Sequence, residues 1–339
     1  MKIKIFIILF LVVLLTIYYI LERTILPPVA PKSDQKIAVK IKPGTGVTDI
    51  ANILNEAGVV PDTDDFIFTV KMFRSSEKLQ AGQYQFPTGL SNYDVLKILT
   101  QGKVSQTKIL IPEGYTARQI ASLVQRELEI DSTQFMKLVH DDAFISELSV
   151  EDVSLEGYLY PDTYYFYWGI TAKEVIRYLV SELLGKYDET LTAKASDLGM
   201  TMHQVLTLAS IIEGEAMLDK ERAIISAVYH NRLKRGMLLQ ADPTIQYIIS
   251  DGPRRLLNRD LEIDSPYNTY KYPGLPPGPV NNPGILSIKA ALEPADVPYL
   301  FFVAVGDGSH KFSRNLQEHN AAKRKFDEYR REVTKKQHD

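Results

Sequence analysis

An apolar run without charged residues opens the chain, from Ile5 to Leu21, and predicts one membrane-spanning helix. Its roughly 17 residues would extend about 25 Å as an α-helix, the short end of a bilayer span. Lys2 and Lys4 precede the run, which favours an N-terminus in the cytoplasm. A cleaved signal peptide is the alternative, but the run is long for one and no small-residue cleavage site follows closely.

Two later stretches echo each other in their apolar, glycine and threonine positions. Each pattern predicts a short strand, a glycine turn, a helix capped by Thr or Asp, and a second helix with its own cap near Asp62–Asp65 or Asp131–Thr133. Two interpretations stay open: two similar small α/β units, or a pair of LysM-like modules that grip glycan strands. The stretches are IKPGTGVTDIANIL (41–54) with TDDFIFTVK (63–71), and IPEGYTARQIASLV (111–124) with STQFMKLV (132–139).

The remaining pattern predicts a mostly helical region that ends in a hairpin. Asp242 before Pro243 is typical of a helix N-cap followed by Pro at N1. The aromatic stretch 154–169 suits either a sugar-stacking surface or a buried strand and turn. Helices are predicted at 171–199, 203–217, 221–236 and 285–294, a Pro/Gly loop at 267–284, and a strand at 298–305 that turns through 306–308 into HKFS.

Composition narrows the classes of function. The chain has 339 residues, 45% apolar and 24% charged, which is typical of a globular protein of about two or three domains. Its formal net charge of −3 gives no argument for nucleic-acid binding. The absence of cysteine excludes disulfides, thiolate metal sites and a cysteine nucleophile.

Carboxylates are the remaining candidate chemistry. The six histidines lack metal-ligand spacing, so we predict no metal and no cofactor. No G-x-S-x-G nucleophile elbow and no phosphate-cradling glycine loop occur in the sequence.

Two glutamates, Glu213 and Glu215, end the apolar helix predicted in LASIIEGEAM (208–217). Desolvation raises the pKa of a glutamate in apolar surroundings, so such a group can act as a general acid on a glycosidic oxygen. At about 100° per residue the two glutamates flank the apolar stripe almost symmetrically, and helical geometry does not choose between them. Two solvated surface residues are the simpler interpretation.

Several motifs, in matching order along the chain, resemble those of the endolytic murein transglycosylases, membrane-anchored lytic enzymes of the bacterial cell wall. The resemblance implies a lysozyme-like, mostly helical catalytic domain with one essential glutamate at a helix end. It favours Glu215, with Glu213 as runner-up, and Ala216 stands where other lytic transglycosylases usually have Ser or Thr. The motifs are LEGYLYPDTY (155–164), LASIIEGEA (208–216), HNRLKRGMLLQADPTIQY (230–247), DSPYNTYKYPGLPPGPVNNPG (264–284) and LFFVAVGDGSHKF (300–312).

The mechanism that the resemblance implies needs one carboxyl group. Glu215 would protonate the leaving O4 of GlcNAc and then accept the proton of the MurNAc C6 hydroxyl, which closes on C1 to give a 1,6-anhydro end. Intramolecular attack supplies the effective molarity that an external nucleophile lacks. The candidates for substrate binding, as polar stabilisers, stacking walls or a cleft-facing carboxyl group, are Glu156, Gln240, Asp242, Thr244, Tyr267, Asn268 and Tyr270.

The predicted fold class is α+β, on the outer side of the cytoplasmic membrane. We expect a cytoplasmic tip and anchor at 1–22, a linker at 23–36, a LysM-like region at 37–150, a catalytic domain with a β-hairpin at 151–330 and a tail at 331–339. The predicted partners are peptidoglycan strands and peptidoglycan synthases, with no nucleic acid. Two alternatives remain: a non-catalytic wall-binding scaffold, and a hydrolytic muramidase with Glu156 or Asp242 as a second essential carboxylate.

Overall fold

The chain forms two compact units of mixed helix and strand, and it passes from one unit to the other after residues 109, 163 and 170. A computed structural model describes residues 2–27, 35–102 and 104–325. The first unit comprises Met1–Ile109 and Tyr164–Ile170, and the second comprises Leu110–Thr163 and Thr171–Asp339. Residues 28–34 of the predicted linker and the predicted tail at 331–339 lie outside the described residues. The division at 109/110 falls inside the stretch predicted to be LysM-like.

One long apolar helix, α1 (Lys2–Thr24), begins the first unit. Its segment Ile3–Thr24 has a mean hydropathy of 2.7 and buries none of its apolar window within the protein. A helix that is apolar on all sides and uncovered by protein suits a lipid environment. By length and composition α1 can therefore cross a membrane.

The rest of the first unit is built on a β-α-α-β arrangement. β1 (Lys36–Ile41) runs antiparallel to β2 (Gly82–Pro87), and the pair is followed by the helix α4 (Asn92–Thr100). Between the strands lie α2 (Val47–Glu56) and α3 (Thr63–Met72), which pack on each other. Buried side chains from all five elements form one hydrophobic core.

Helix caps in this unit follow the predicted pattern in part. Asp62 caps α3 by accepting from the Asp65 N–H, as predicted. The N-cap of α2 is Gly46, without a side-chain bond, so the prediction of a Thr or Asp cap is wrong there. The turn before it places Gly44 at φ +81°, a conformation that costs glycine little.

A second strand pair joins β3 (Gln106–Leu110) to β4 (Thr163–Tyr167). Along β4 the side chains alternate, with Tyr164 and Phe166 buried and Tyr165 and Tyr167 exposed. The aromatic stretch therefore contains a half-buried strand.

The second unit is mostly helical and is centred on α10 (Met202–Glu215). The other elements are α5 (Ala117–Leu128), α6 (Ser132–Val139), α7 (Asp142–Glu147), α8 (Ala172–Lys186), α9 (Glu189–Asp197), α11 (Asp219–Lys234), α12 (Asp242–Ile248), a 3-10 turn (Asn258–Glu262), α13 (Ile285–Leu292), β5 (Phe301–Ala304) and β6 (His310–Ser313). α10 packs against its neighbours α9, α11, α12 and α13, and β5 pairs antiparallel with β6 in the predicted hairpin.

In this unit one local prediction is confirmed with a break in the helix, and one is wrong. The stretch 171–199 forms two helices, because Asp188 accepts a hydrogen bond from the Leu191 N–H and starts α9. Asp242 is the first residue of α12 and Ala241 is its N-cap; the Asp242 carboxylate bonds the Tyr270 hydroxyl instead of capping the helix.

Candidate active site

Helix α10 carries both candidate glutamates to one end of a buried scaffold. Thr201 and Gln204 form a capping box that starts the helix. Every residue from Val205 to Ile212 is buried, because helices surround α10 on several sides. The sequence predicts one apolar stripe on this helix, whereas the structure buries the helix on all sides. Glu213 and Glu215 follow directly after the fully buried segment.

Glu215 is the last residue of α10, and its surroundings favour the protonated carboxyl group. Its Oε1 accepts a hydrogen bond from the Tyr229 hydroxyl at 3.1 Å and the carboxyl group also bonds the Asp242 backbone N–H. Burial and, to a smaller extent, the negative charge of Asp242 together raise the pKa of Glu215 to about 7. The two hydrogen bonds and the charge of Arg232 limit that rise. Glu215 can therefore hold a proton near neutral pH.

Glu213 has a different environment, although it lies only two positions away. Its Oε1 accepts from Arg222 Nη1 at 3.0 Å, and its Oε2 accepts from the Gly284 N–H at 3.0 Å. The side chain is 6% exposed and that of Arg222 is 9% exposed. Arg222 also bonds Asp219 and Ser287, so Glu213 belongs to a buried ion-pair network that ties α10 to α11 and to the start of α13.

Gly214, between the two glutamates, allows a close approach of α12. A Cβ at this position would lie 2.6 Å from Cγ of Pro243. No side chain fits in that space without a shift of α12. The approach brings the backbone of Asp242 within reach of Glu215.

Asp242 and Tyr270 lie together beside Glu215. The Tyr270 hydroxyl donates to Asp242 Oδ1 at 2.5 Å, and Asp242 is exposed. Burial and the neighbouring Asp242 carboxylate raise the pKa of Tyr270. The Tyr270 phenol therefore stays protonated and holds the exposed Asp242 carboxylate next to Glu215. A carboxylate in this position would stabilise positive charge that develops on a substrate.

Two other predicted residues are engaged inside the protein. Thr244 is fully buried and its hydroxyl bonds the Ala241 carbonyl and Thr269 Oγ1 at 2.7 and 2.9 Å. Asn268 is fully buried, donates to the Leu261 and Ile263 carbonyls and accepts from the Tyr270 N–H. These groups brace the loop beneath Tyr270 and offer no free polar atom to a substrate.

Gln240 and Tyr267 are more accessible. Gln240 is exposed, and its φ of +47° places a residue other than glycine in the left-handed region. Its N–H donates to the Thr269 carbonyl at 3.0 Å, which fixes the strained backbone. The ring of Tyr267 is half-buried and lies 5.0 Å from the ring of Tyr247, centroid to centroid.

Glu156 is a second buried carboxyl group of the same unit. It is 6% exposed, and its Oε1 accepts from the Ala117 N–H at 2.9 Å and from Asn282 Nδ2 at 3.0 Å. Burial raises the pKa of Glu156 to about 7 despite these bonds. Its recorded partners belong to α5 and to the Pro/Gly loop, so the structure shows Glu156 holding these two segments together.

The Pro/Gly loop is fixed by several polar contacts. His203 Nε2 lies 2.7 Å from the Pro277 carbonyl, and its Nδ1 lies 2.7 Å from Asp152. Both ring nitrogens face acceptors, and the bond to Asp152 raises the pKa of His203. Asn282 donates to the Tyr115 carbonyl and accepts from the Leu159 N–H. The loop is thereby held where Gly284 meets Glu213.

Sequence reasoning missed two residues on α11 that surround Glu215. Tyr229 is 1% exposed and supplies the hydroxyl bonded to Glu215. Arg232, three positions on, is 7% exposed and donates to the carbonyls of Leu300 and Leu239 at 2.7 and 2.6 Å. Among the described residues it has no carboxylate within ion-pair distance, so its charge acts on Glu215 through space. The sequence indicates only that Tyr229 and Arg232, at i and i+3 in YHNR, lie on the same face of a helix.

Within the described ranges, no group of three or more His, Asp or Glu side chains could hold a metal ion. The chemistry that these residues can perform is proton transfer at one partly buried carboxyl group. A neighbouring exposed carboxylate can stabilise positive charge.

A family model, curated relatives and a solved structure all relate this chain to the same family. Residues 39–325 match the model of the YceG-like family. A protein of Bacillus subtilis named endolytic murein transglycosylase is 36% identical over 323 residues, which cover 91% of this chain and 89% of that protein. A protein of the same name from Streptococcus pneumoniae D39 is 32% identical over 337 residues, and the match covers 89% of this chain but 60% of that longer protein. A 2.6 Å crystal structure of a yceG-like protein of Listeria monocytogenes superimposes with a TM-score of 0.61 at 34% identity, covering 85% of this chain and 99% of that one.

Proposed function

The chain belongs to the YceG-like family, and on that premise we propose that it is an endolytic murein transglycosylase that uses Glu215 as its catalytic acid and base. The observation that carries this assignment is the contrast between the two glutamates. Glu213 is bonded to Arg222 and to the Gly284 N–H, whereas Glu215 has a pKa raised to about 7 and faces neutral donors. A catalytic acid needs its proton, so Glu215 suits the role.

In the first half of the proposed reaction, the Glu215 carboxyl group gives its proton to O4 of GlcNAc while the bond from that oxygen to C1 of MurNAc breaks. The positive charge that develops at C1 and the ring oxygen is stabilised by the exposed carboxylate of Asp242, which Tyr270 holds in place. Burial of Glu215 makes the loss of its proton costly in the free enzyme, and the Tyr229 hydroxyl offsets part of that cost.

In the second half, the C6 hydroxyl of the same MurNAc attacks C1, and its proton passes to the Glu215 carboxylate. The products are a 1,6-anhydro-MurNAc end and a free GlcNAc O4 hydroxyl, with no net gain or loss of protons and no water consumed. A pKa near 7 suits both halves of the reaction, because near neutral pH both the protonated and the ionised carboxyl group form at little cost in free energy.

The hydrolytic alternative needs a second carboxylate that activates water or attacks C1. Asp242 is the candidate that the geometry favours, since it lies beside Glu215 and is exposed. Glu156 is enclosed by Ala117 and Asn282 and lacks such access. A non-catalytic scaffold gains nothing from Glu215, because a desolvated glutamate costs folding free energy when it ionises and, unlike Glu156, Glu215 lies beside the exposed carboxylate of Asp242.

We propose that the other parts of the chain hold the catalytic unit at the membrane and on the glycan strands of the cell wall. The β1-α2-α3-β2 order, with its two strands antiparallel, supports a LysM-like module that binds glycan, and a helical unit with a glutamate at the end of α10 supports a lysozyme-like catalytic part in 151–330. The apolar α1 supports a single-pass anchor in the cytoplasmic membrane, and the lysines at positions 2 and 4 support an N-terminus in the cytoplasm. Binding to peptidoglycan synthases stays a prediction.

Product analysis tests the proposal. The chain is incubated with purified, uncrosslinked peptidoglycan strands, and the new ends are identified by mass spectrometry. Anhydro ends support transglycosylation, whereas reducing ends support a muramidase and uncut strands support a scaffold. Product lengths report the endolytic character, because cuts inside a strand give a broad size distribution from the first turnovers.

Two matched variants test the residue assignment. Glu215→Gln removes the transferable proton and should abolish turnover without lowering the melting temperature. Glu213→Gln weakens the bond to Arg222 and should lower the melting temperature while the folded enzyme keeps much of its activity. The reverse pattern of activities would show that Glu213 is the acid and would leave the family assignment intact.

A further inference from the structure

Four large apolar side chains of the first unit form an exposed patch. They are Phe68, Met72, Phe73 and Tyr93, at α3, its C-cap and α4, with 36–47% of each exposed. The rings of Phe73 and Tyr93 lie 4.8 Å apart, centroid to centroid, so the two helices contribute to one continuous surface. We call these four residues the α3–α4 patch. Contiguous exposed apolar surface usually marks a site of interaction.

The end of α1 is attached beside this patch. α1 packs on both α3 and α4. The Arg23 guanidinium bonds Asp65 on α3, and Asn92 on α4 donates to the Arg23 carbonyl at 2.8 Å. Thr24 is fully buried. Direct contacts therefore fix α3 and α4 to the C-terminal end of α1.

The attachment points and the patch share one side of the unit. Asp65, Phe68 and Met72 stand at i, i+3 and i+7 of α3 and lie on one flank of that helix. Tyr93 of α4 joins this flank through its ring contact with Phe73, which follows Met72 at the end of α3. The residues that hold α1 and the residues of the patch are thus neighbours on the same surface.

The length of α1 sets where that surface lies. Its 23 residues extend about 34 Å, which matches a hydrocarbon core about 30 Å thick. If α1 spans the bilayer, Arg23 lies at the membrane–water interface, where a charged side chain and the ring of Tyr93 are both favoured. The apolar side chains of the patch then lie at the same level.

We propose that the α3–α4 patch rests in the interfacial layer of the bilayer that α1 spans, so that the first unit docks on the phospholipid surface. The proposal rests on the proposed anchoring role of α1. Apolar contact with lipid drives this docking more than electrostatic attraction does, because the positive charges of exposed Lys71 and Arg74 near the end of α3 are balanced by the negative charges of Asp62 and Asp64 at its start. Docking would hold the first unit, with its proposed glycan-binding module, at the membrane surface.

Spin labelling of the full chain tests this docking. The chain has no cysteine, so a single introduced cysteine is a unique attachment site. Leu11→Cys reports the middle of α1, Met72→Cys and Tyr93→Cys report the patch, and Gln85→Cys reports an exposed position of β2 as the matched control. Each labelled protein is placed in nanodiscs that contain phosphatidylglycerol, and the accessibility of the nitroxide to oxygen and to a water-soluble nickel chelate is measured.

The oxygen-to-nickel accessibility ratio should be severalfold higher at Met72 and Tyr93 than at Gln85, and highest at Leu11. If Leu11 reports lipid while Met72 and Tyr93 match Gln85, the docking proposal is overturned and the anchor stands. A value at Leu11 equal to that at Gln85 overturns the anchor and the docking together. Unchanged lytic activity of each labelled protein shows that it is folded.

Discussion

Removing the Tyr229 hydroxyl should shift the pH dependence of catalysis to higher pH. The hydroxyl donates to Oε1 of Glu215 at 3.1 Å, and this bond favours the carboxylate over the protonated form. Tyr229→Phe keeps the ring, which packs edge-on against Phe302 at 6.0 Å, and removes only the donor. The pKa of Glu215 should therefore rise further above its ordinary value.

The size of the shift follows from the strength of the lost bond. A hydrogen bond to a charged group contributes about 1.5–3 kcal/mol, and one pKa unit corresponds to about 1.4 kcal/mol. A distance of 3.1 Å is long for a charge-assisted bond, so the lower end of the range applies. The pKa of Glu215 should move from about 7 to about 8.

The assay is kcat/KM for cleavage of uncrosslinked glycan strands between about pH 5 and pH 9.5, since kcat/KM reports the free enzyme. The acid must be protonated, so activity is present below its pKa and is lost as pH rises through it. The alkaline limb should move from about pH 7 to about pH 8. At pH 5 both enzymes carry the proton, and the weaker acid should cost less than about tenfold in rate.

Tyr84→Phe is the matched control, because it removes another buried tyrosine hydroxyl, one that donates to the Gln80 carbonyl at 2.6 Å in the first unit. Its pH profile should equal that of the unmodified chain. An alkaline limb that stays in place, or moves to lower pH, in Tyr229→Phe would refute the assignment of that limb to Glu215.

Three further substitutions test the surroundings of the site. Glu156→Gln should leave stability unchanged at pH 4 and raise it by at most about 3 kcal/mol at pH 8.5 in urea unfolding, because the raised pKa of about 7 means that ionisation of this buried group destabilises the fold as pH rises. Gly214→Ala should lower stability by about 1–3 kcal/mol and also lower kcat, since its Cβ meets Pro243 next to the acid; melting and rate measurements check both. Arg222→Met should cost about 3–5 kcal/mol by leaving Glu213 unpaired, and the added change Glu213→Leu should recover part of that loss in thermal melting.

Local patterns predicted much of the helical part of the fold. The helices expected at 203–217, 221–236 and 285–294 are confirmed as Met202–Glu215, Asp219–Lys234 and Ile285–Leu292, and the hairpin after 298 is confirmed as β5 and β6. The break at Asp188 was missed because an aspartate is equally compatible with a helix surface and with a cap, and only the Leu191 N–H decides between them.

The candidate site was harder to predict, because its polar residues depend on distant partners. Thr244 and Asn268 stand in a motif rich in polar groups, but both face inward and complete the hydrogen bonds of a loop. Nothing in the sequence around Tyr229 distinguishes it from a core residue of α11. Sequence spacing shows which residues share a helix face, but not which element covers that face, and so the neighbours of Glu215 could not be derived.

The two glutamates show how one helix end supports two roles. Residues two apart on an α-helix project about 160° from each other, so Glu213 and Glu215 face different walls. Glu213 meets the cation of Arg222, which stabilises its negative charge and ties the scaffold together. Glu215 meets the Tyr229 hydroxyl and the Asp242 N–H, donors that limit the rise in its pKa without fixing a negative charge. A direct ion pair at Glu215 would hold it as a carboxylate and remove its proton at neutral pH, whereas burial without donors would prevent it from releasing one. The intermediate environment is what a single group that must act first as acid and then as base requires.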